Sequence, residues 1–157
     1  MPDSRAQTGT TTQNNCDTNV DGNAGCGVHS TGANSYGPAF NSNGGGWYAM
    51  ERTNTFIKVW FWPRNSGSVP SDVSGGASSI NTDNWGTPMA YFPNTSCNID
   101  SHFNAANIII NLTFCGDWAG TVYSTSGCPS TCTDYVSNNP SAFTNAYFEL
   151  ASARVYQ

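Results

Sequence analysis

At 157 residues with a formal net charge of -5 and only 10% charged side chains, the chain has the length of one domain and lacks the basic patches that nucleic-acid phosphates demand. Its five basic residues (Arg5, Arg52, Lys58, Arg64 and Arg154) are scattered, which argues against an anionic membrane surface, and the longest apolar run, Ile108 to Ile110, is far too short to cross a bilayer. Gly, Ser, Thr and Asn fill much of the remainder, which points to an all-β domain with long hydrogen-bonded loops.

Residues 1–45 show almost no periodic apolar pattern and read as loop, pinned if Cys16 and Cys26 are joined. Within them, Asp17-x-Asn19-x-Asp21-Gly22 matches the first half of a calcium loop, but Val28 stands where the closing Glu belongs. A tight turn between two cysteines explains the same residues, so no metal is assigned. Trp47 to Glu51 reads as a short strand. Thr55 to Trp62 is the clearest strand, with Phe56, Lys58, Trp60 and Trp62 on one face and Ile57, Val59 and Phe61 on the other. Neither face looks freely solvated, as in an inner strand of a two-sheet sandwich or one lining a ligand groove.

Pro63 ends that strand, and residues 63–87 read as a long connection. Met89 to Phe92 is a short strand closed by Pro93. Ala106 to Cys115 reads as a strong strand with Ile108, Ile110, Leu112 and Phe114 on one face. Residues 116–143 read as loop, with a helical turn at Cys132 to Asn138, and Tyr147 to Tyr156 as a final strand. Aromatics make up 13% of the chain, five of them tryptophans, which suits an uncharged ligand such as a sugar whose C–H faces stack on rings. The plainer reading places most of these rings in the core, and Trp47, Trp60 and Trp62 are left there.

The six cysteines Cys16, Cys26, Cys97, Cys115, Cys128 and Cys132 form an even set, and Asn94-Thr-Ser and Asn111-Leu-Thr are glycosylation sequons at Asn94 and Asn111. Together they indicate an oxidised, extracellular protein. Residues 1–15 are polar throughout with no signal-peptide core, so the expectation is that this chain starts inside a longer secreted protein. Cys128-x-x-x-Cys132 is not zinc spacing in this setting and reads as an oxidised pair.

Thr113-Phe-Cys-Gly-Asp-Trp-Ala-Gly120, Asn34-Ser-Tyr-Gly-Pro-Ala-Phe-Asn41 and Gly44-Gly-Gly-Trp-Tyr-Ala-Met-Glu-Arg-Thr53 closely resemble fungal laminarinases of glycoside hydrolase family 16. So do Phe56-Ile-Lys-Val-Trp-Phe-Trp-Pro-Arg64, Trp85-Gly-Thr-Pro88, Asn139-Pro-Ser-Ala-Phe143 and Ala153-Arg-Val-Tyr-Gln157. The blocks run the length of residues 1–157 and are similar to a basidiomycete-type endo-β-1,3(4)-glucanase. The resemblance implies a β-jelly roll, a concanavalin-like sandwich of two antiparallel sheets. It also implies a cleft for β-1,3(4)-glucan such as laminarin, and retaining hydrolysis by two glutamates of a Glu-x-Asp-x-x-Glu strand, with no cofactor. Retention needs the two carboxyl groups about 5–5.5 Å apart. On one strand, positions i and i+2 share a face, and a bulge brings i+5 onto it.

This chain has no such strand. Its only glutamates are Glu51 and Glu149, and neither begins or ends the signature. Glu51 reads as an ion pair with Arg52, and His29 and His102 lie in loops without a nucleophile motif, so no catalytic residue is assigned. The resemblance makes residues 1–157 the carboxy-terminal part of a jelly roll lacking its amino-terminal strands. It also implies that Trp118 lines the sugar cleft, beside Asp117, which fixes the turn. In similar laminarinases further cysteines lie upstream; if any of these six pairs with one of those, the chain carries orphan thiols, and sequence does not choose among the 15 possible pairings of six cysteines. The resulting expectation is a glucanase-type domain inactive alone. A non-catalytic, lectin-like β-glucan-binding protein is the alternative.

Overall fold

The computed structural model describes all residues, Met1–Gln157, as two compact units: Met1–Ala105 with Tyr156, and Ala106–Val155 with Gln157. In the first unit the alternation at residues 46–63 builds a hairpin of β3 (Gly46–Arg52) and β4 (Phe56–Pro63), and β5 (Ala90–Pro93) completes a three-stranded antiparallel sheet in the order β3-β4-β5. The connecting Thr53 hydroxyl oxygen accepts from the backbone amides of Thr55 and Phe56 at 3.1 Å each, an ordinary hydroxyl-stabilised turn. Register pairs Trp47 with Trp62, Tyr48 with Phe61 and Glu51 with Lys58 across the hairpin. Gly46 has to be a glycine, since a Cβ there would lie 2.6 Å from the Phe61 ring and the Trp62 carbonyl.

The two faces of β4 divide as the alternation predicts, and every residue of the strand is buried or half-buried. On one face Trp60 and Trp62 form a core with Trp85, whose ring stands edge-on to both at 5.2 and 5.5 Å between centroids. Trp85 comes from the 63–87 connection. That segment is more than a link: it holds α2 (Ser71–Ser74) and a 3₁₀ turn at Thr82–Trp85, and it packs Val69, Val73 and Ile80 on the tryptophans. The Trp60 indole donates to the Gly86 carbonyl at 3.1 Å, from a turn whose φ of +74° favours glycine. Trp47 is half-buried beneath the Arg64 guanidinium, 5.1 Å from its ring centroid. On the opposite face Tyr48 and Phe61 stack at 4.7 Å against Phe40 of α1 (Gly37–Ser42).

A second, two-stranded sheet pairs β1 (Thr10–Gln13) with β2 (Gly27–His29). The sequence reading left both in loop; the run Thr10-Thr11-Thr12 is β-branched but carries no apolar period. Arg5 ties this hairpin to β5, donating to the Tyr91 carbonyl and the Thr11 hydroxyl at 3.2 and 2.7 Å, with its guanidinium over Phe92. The helical turn α3 (Ile99–His102) follows β5 and buries Ile99.

The second unit contains α4 (Gly116–Val122) and α5 (Cys132–Asn138), joined at their starts by the Cys115–Cys132 disulfide. Phe143 sits edge-on to Phe114 at 4.9 Å and to Tyr135 at 5.9 Å. The strands expected at Ala106–Cys115 and Tyr147–Tyr156 are not formed: neither segment joins a ladder. Alternation is a local property, whereas a strand needs a hydrogen-bonding neighbour, and neither segment has one.

Asp72 holds the tryptophan core in place electrostatically. Its carboxylate accepts the Asn81 and Val73 amides at 3.0 Å each and the Trp85 indole N–H at 3.0 and 3.1 Å. The Asn81 amide contributes most to holding the Asp72 pKa below its usual value, partial burial opposes it, and the Trp85 and Val73 donors reinforce the lowering. A depressed carboxylate pKa stabilises the fold above the unfolded value near about 3.9, and that contribution fades as pH falls through the lower folded value. Urea midpoints should therefore drop between about pH 5 and pH 3 for the native chain, and the drop should shrink in Asp72→Asn. An unchanged acid slope in the variant would show that Asp72 does not carry this linkage.

Candidate functional site

Cys115, at φ +59°, and Gly116, at φ +77°, turn the chain abruptly out of the apolar segment 106–114 and into α4. A left-handed cysteine is uncommon and is held here by the bond to Cys132 at the start of α5, whose N-cap Thr131 accepts the Asp134 amide. The turn thrusts Trp118 into solvent. Its side chain is 85% exposed, so it serves no core. Asp117 beside it is exposed too, and its carbonyl accepts the Thr121 hydroxyl, a contact within the helix. Below α4, the Tyr123 hydroxyl donates to the Pro129 carbonyl at 2.7 Å; desolvation first, then Cys128, Tyr135 and Asp134, push its pKa up.

The cysteine pairing differs from one expectation. Cys16 and Cys26 are joined, but Cys132 pairs with Cys115 rather than with Cys128, four residues away on the other side of a turn that carries Ser130 at φ +61°. Cys97 and Cys128 are free thiols. Both sequon asparagines, Asn94 and Asn111, are exposed.

Glu51 lies on β3 with one oxygen buried and unpartnered, and it makes no ion pair with Arg52, contrary to the sequence reading. Successive strand residues point to opposite faces, and Arg52 instead reaches the Asn104 carbonyl at 3.2 Å. Lys58, opposite Glu51 in register, turns onto the Phe56 ring at 4.1 Å. Glu149 is exposed in the second unit. A groove of about 670 Å³ in the first unit is lined by Cys16, Ser96, Cys97, His102 and Phe103, and Asp17 is its one carboxylate. His102 is engaged by the Asn98 carbonyl at 2.8 Å, and His29 stands at the edge of Tyr36.

The half calcium motif is spent on turns. Asp17 accepts the backbone and side-chain amides of Asn19 at 2.9 Å each, and Asp21 accepts from Gln13 at 2.6 Å. No three His, Cys, Asp or Glu side chains converge as metal ligands. No helix is long and apolar enough to cross a membrane.

Residues 2–156 match the family described as the XgeA-like, catalytic GH16 domain. The chain belongs to that family. Among curated relatives, it is 47% identical over 156 residues to a probable glycosidase of Schizosaccharomyces pombe, covering 98% of this chain and 36% of the relative. It is 44% identical over 162 residues to a probable endo-1,3(4)-beta-glucanase of Aspergillus niger, covering 98% of this chain and 21% of that protein. The GH16 Laminarinase 16A from Phanerochaete chrysosporium, solved with 6-O-glucosyl-laminaritriose in donor and acceptor sites, superposes with a TM-score of 0.88 at 69% identity, over 93% of this chain and 50% of that one. An elongating family 16 beta-1,3-glucosyltransferase follows with a TM-score of 0.76 at 41% identity, over 90% and 48%. The fold is therefore that of the GH16 laminarinase jelly roll, and the chain spans about a third or less of those curated relatives and half of the solved GH16 chains.

Proposed function

We propose that these residues are part of a single β-glucan hydrolase domain of the endo-β-1,3(4)-glucanase type, contributing sugar-contacting surface but neither catalytic carboxylate. One observation carries this reading: the chain matches a catalytic GH16 domain from residue 2 to residue 156, yet its only glutamates, Glu51 and Glu149, lie in no Glu-x-Asp-x-x-Glu segment. Retaining chemistry requires two carboxyl groups facing one bond, so on this reading the chain alone hydrolyses nothing. The glucosyltransferase relative makes transfer to a sugar acceptor a second outcome for such a scaffold. Two disulfides and two exposed sequons support an extracellular parent protein.

A second reading, a lectin-like glucan binder, is favoured specifically by Trp118. A ring left 85% in solvent is a ready platform for a sugar face and has no structural reason to stay exposed. On either reading the chain is retarded in native gels containing laminarin. Trp118→Ala should weaken that retardation by roughly tenfold in apparent affinity, the scale of one lost aromatic contact, with an unchanged unfolding midpoint. Retardation unaffected by Trp118→Ala would remove Trp118 from the glucan surface.

A further inference from the structure

Helix α4 has little of its own to hold it. It is seven residues long and buries none of them, and a helix that short has no stability by itself in water. Two fasteners tie it to the segment around the start of α5. At its N-cap Cys115 is bonded to Cys132, the first residue of α5, and just past its end the Tyr123 hydroxyl donates to the Pro129 carbonyl at 2.7 Å. α5 is in turn seated by Tyr135, whose ring meets Phe143, which also meets Phe114, the residue before Cys115. Cys115 itself adopts φ +59° and ψ -135°, a combination that glycine takes freely and that strains any other residue. Such a conformation persists only where its surroundings impose it, and the bond to Cys132 imposes it here. Gly116 follows at φ +77°, and Trp118 stands two residues beyond with 85% of its surface in solvent. A ring that exposed is aimed by its backbone rather than by its neighbours.

We propose that the Cys115–Cys132 disulfide is a positioning clamp: it imposes the unfavourable turn at Cys115 and so aims Trp118 at its ligand. The plainer role of a disulfide is to restrict the unfolded chain, which stabilises the native unit without favouring one local backbone conformation. The two roles make opposite predictions for Cys115→Gly. Glycine adopts φ +59° with no bond to hold it, so it restores the turn. It restores nothing of the constraint on the unfolded chain, and its own freedom there works against folding. Cys115 and Cys132 are positioning residues that act through Trp118. The proposal rests on the reading that Trp118 meets β-glucan, and backbone exchange judges the clamp apart from that reading.

The test removes the free thiols throughout by Cys97→Ser and Cys128→Ser, so that no new disulfide forms. In that parent it compares Cys115→Ser with Cys132→Ser, the serine pair, against Cys115→Gly with Cys132→Ser, the glycine pair. Each protein is followed by amide exchange and by retardation in native gels containing laminarin. The serine pair should speed exchange of residues 117–122 at least about tenfold, and weaken retardation about tenfold, as far as Trp118→Ala does. The glycine pair should bring both back to within about threefold of the parent, although both pairs lose the same cross-link from the unfolded chain. Should the serine pair fail to fold, the glycine pair decides: exchange of 117–122 within about threefold of the parent supports the clamp, and faster exchange overturns it. Equal losses in the two pairs, or unchanged exchange in the serine pair, overturn it as well. Retardation indifferent to Trp118→Ala sinks the glucan reading alone, and the exchange pattern still decides the clamp.

Discussion

Laminarin incubated with these 157 residues should release reducing ends at least about 10⁴-fold more slowly than with a retaining glucanase that keeps both carboxylates. The magnitude follows from what each acid does. One carboxylate forms the covalent glycosyl bond, and the other donates a proton to the leaving oxygen and then draws one from water. General acid–base catalysis alone is worth about 10²–10⁴-fold, and without a nucleophile the covalent route is closed altogether. The glucan contact proposed for Trp118 would not compensate, because contacts made equally to substrate and transition state leave the chemical barrier where it was. Glu51→Gln and Glu149→Gln should therefore leave the residual rate unchanged. A residual rate that collapsed in either variant would make that glutamate a catalyst.

Replacing Trp85 by Ala should destabilise the first unit by about 3–5 kcal/mol, the cost of emptying a buried aromatic site. Trp85 is the third wall of the core. Its ring stands edge-on to Trp60 and Trp62, which are 2% and 7% exposed, and its indole N–H is shared by both oxygens of Asp72. Alanine opens a cavity against two rings that cannot collapse into it, because β4 holds them on one face of a paired strand. The same change removes a donor from a carboxylate that keeps its charge. Trp85→Phe separates the two contributions: it retains much of the packing and loses only the donor, and should cost about 1–2 kcal/mol. Urea unfolding followed by far-ultraviolet circular dichroism measures both. A loss below about 1 kcal/mol in Trp85→Ala would mean that this cluster does not hold the unit together.

The sheet was legible because its determinants are local. Alternating aromatics over residues 56–62, punctuated by Pro63 and Pro93, specify β4 and β5 and the division of β4 into two faces. The segments 106–115 and 147–156 carry equally good alternation and form no strand, because pairing depends on residues that are not their neighbours in sequence. Hairpin β1–β2 escaped notice for the opposite reason: its strands carry one large apolar residue, Val28, and the Cys16–Cys26 bond between them closes what alternation does not announce. The same limit applied to the cysteines. Proximity along the chain favoured Cys128 with Cys132, whereas the turn at Cys115 and Gly116 delivers Cys115 instead. Trp118 was singled out by its motif as a cleft residue, and the structure shows only that its ring is exposed. Asp72 was missed altogether. It lies thirteen residues before Trp85 in a Gly- and Ser-rich stretch, and only the fold brings its carboxylate under the indole.

The most direct measurement is the intact mass of the chain after exposure to an activated 2-fluoro-β-glucosyl donor, a reagent that leaves a retaining glycosidase esterified at its nucleophile. On the proposed reading the chain should keep its mass unchanged under conditions that label a complete retaining glucanase. A glycosyl adduct on Glu51, Glu149 or any aspartate of this chain would place a working nucleophile here and contradict the account.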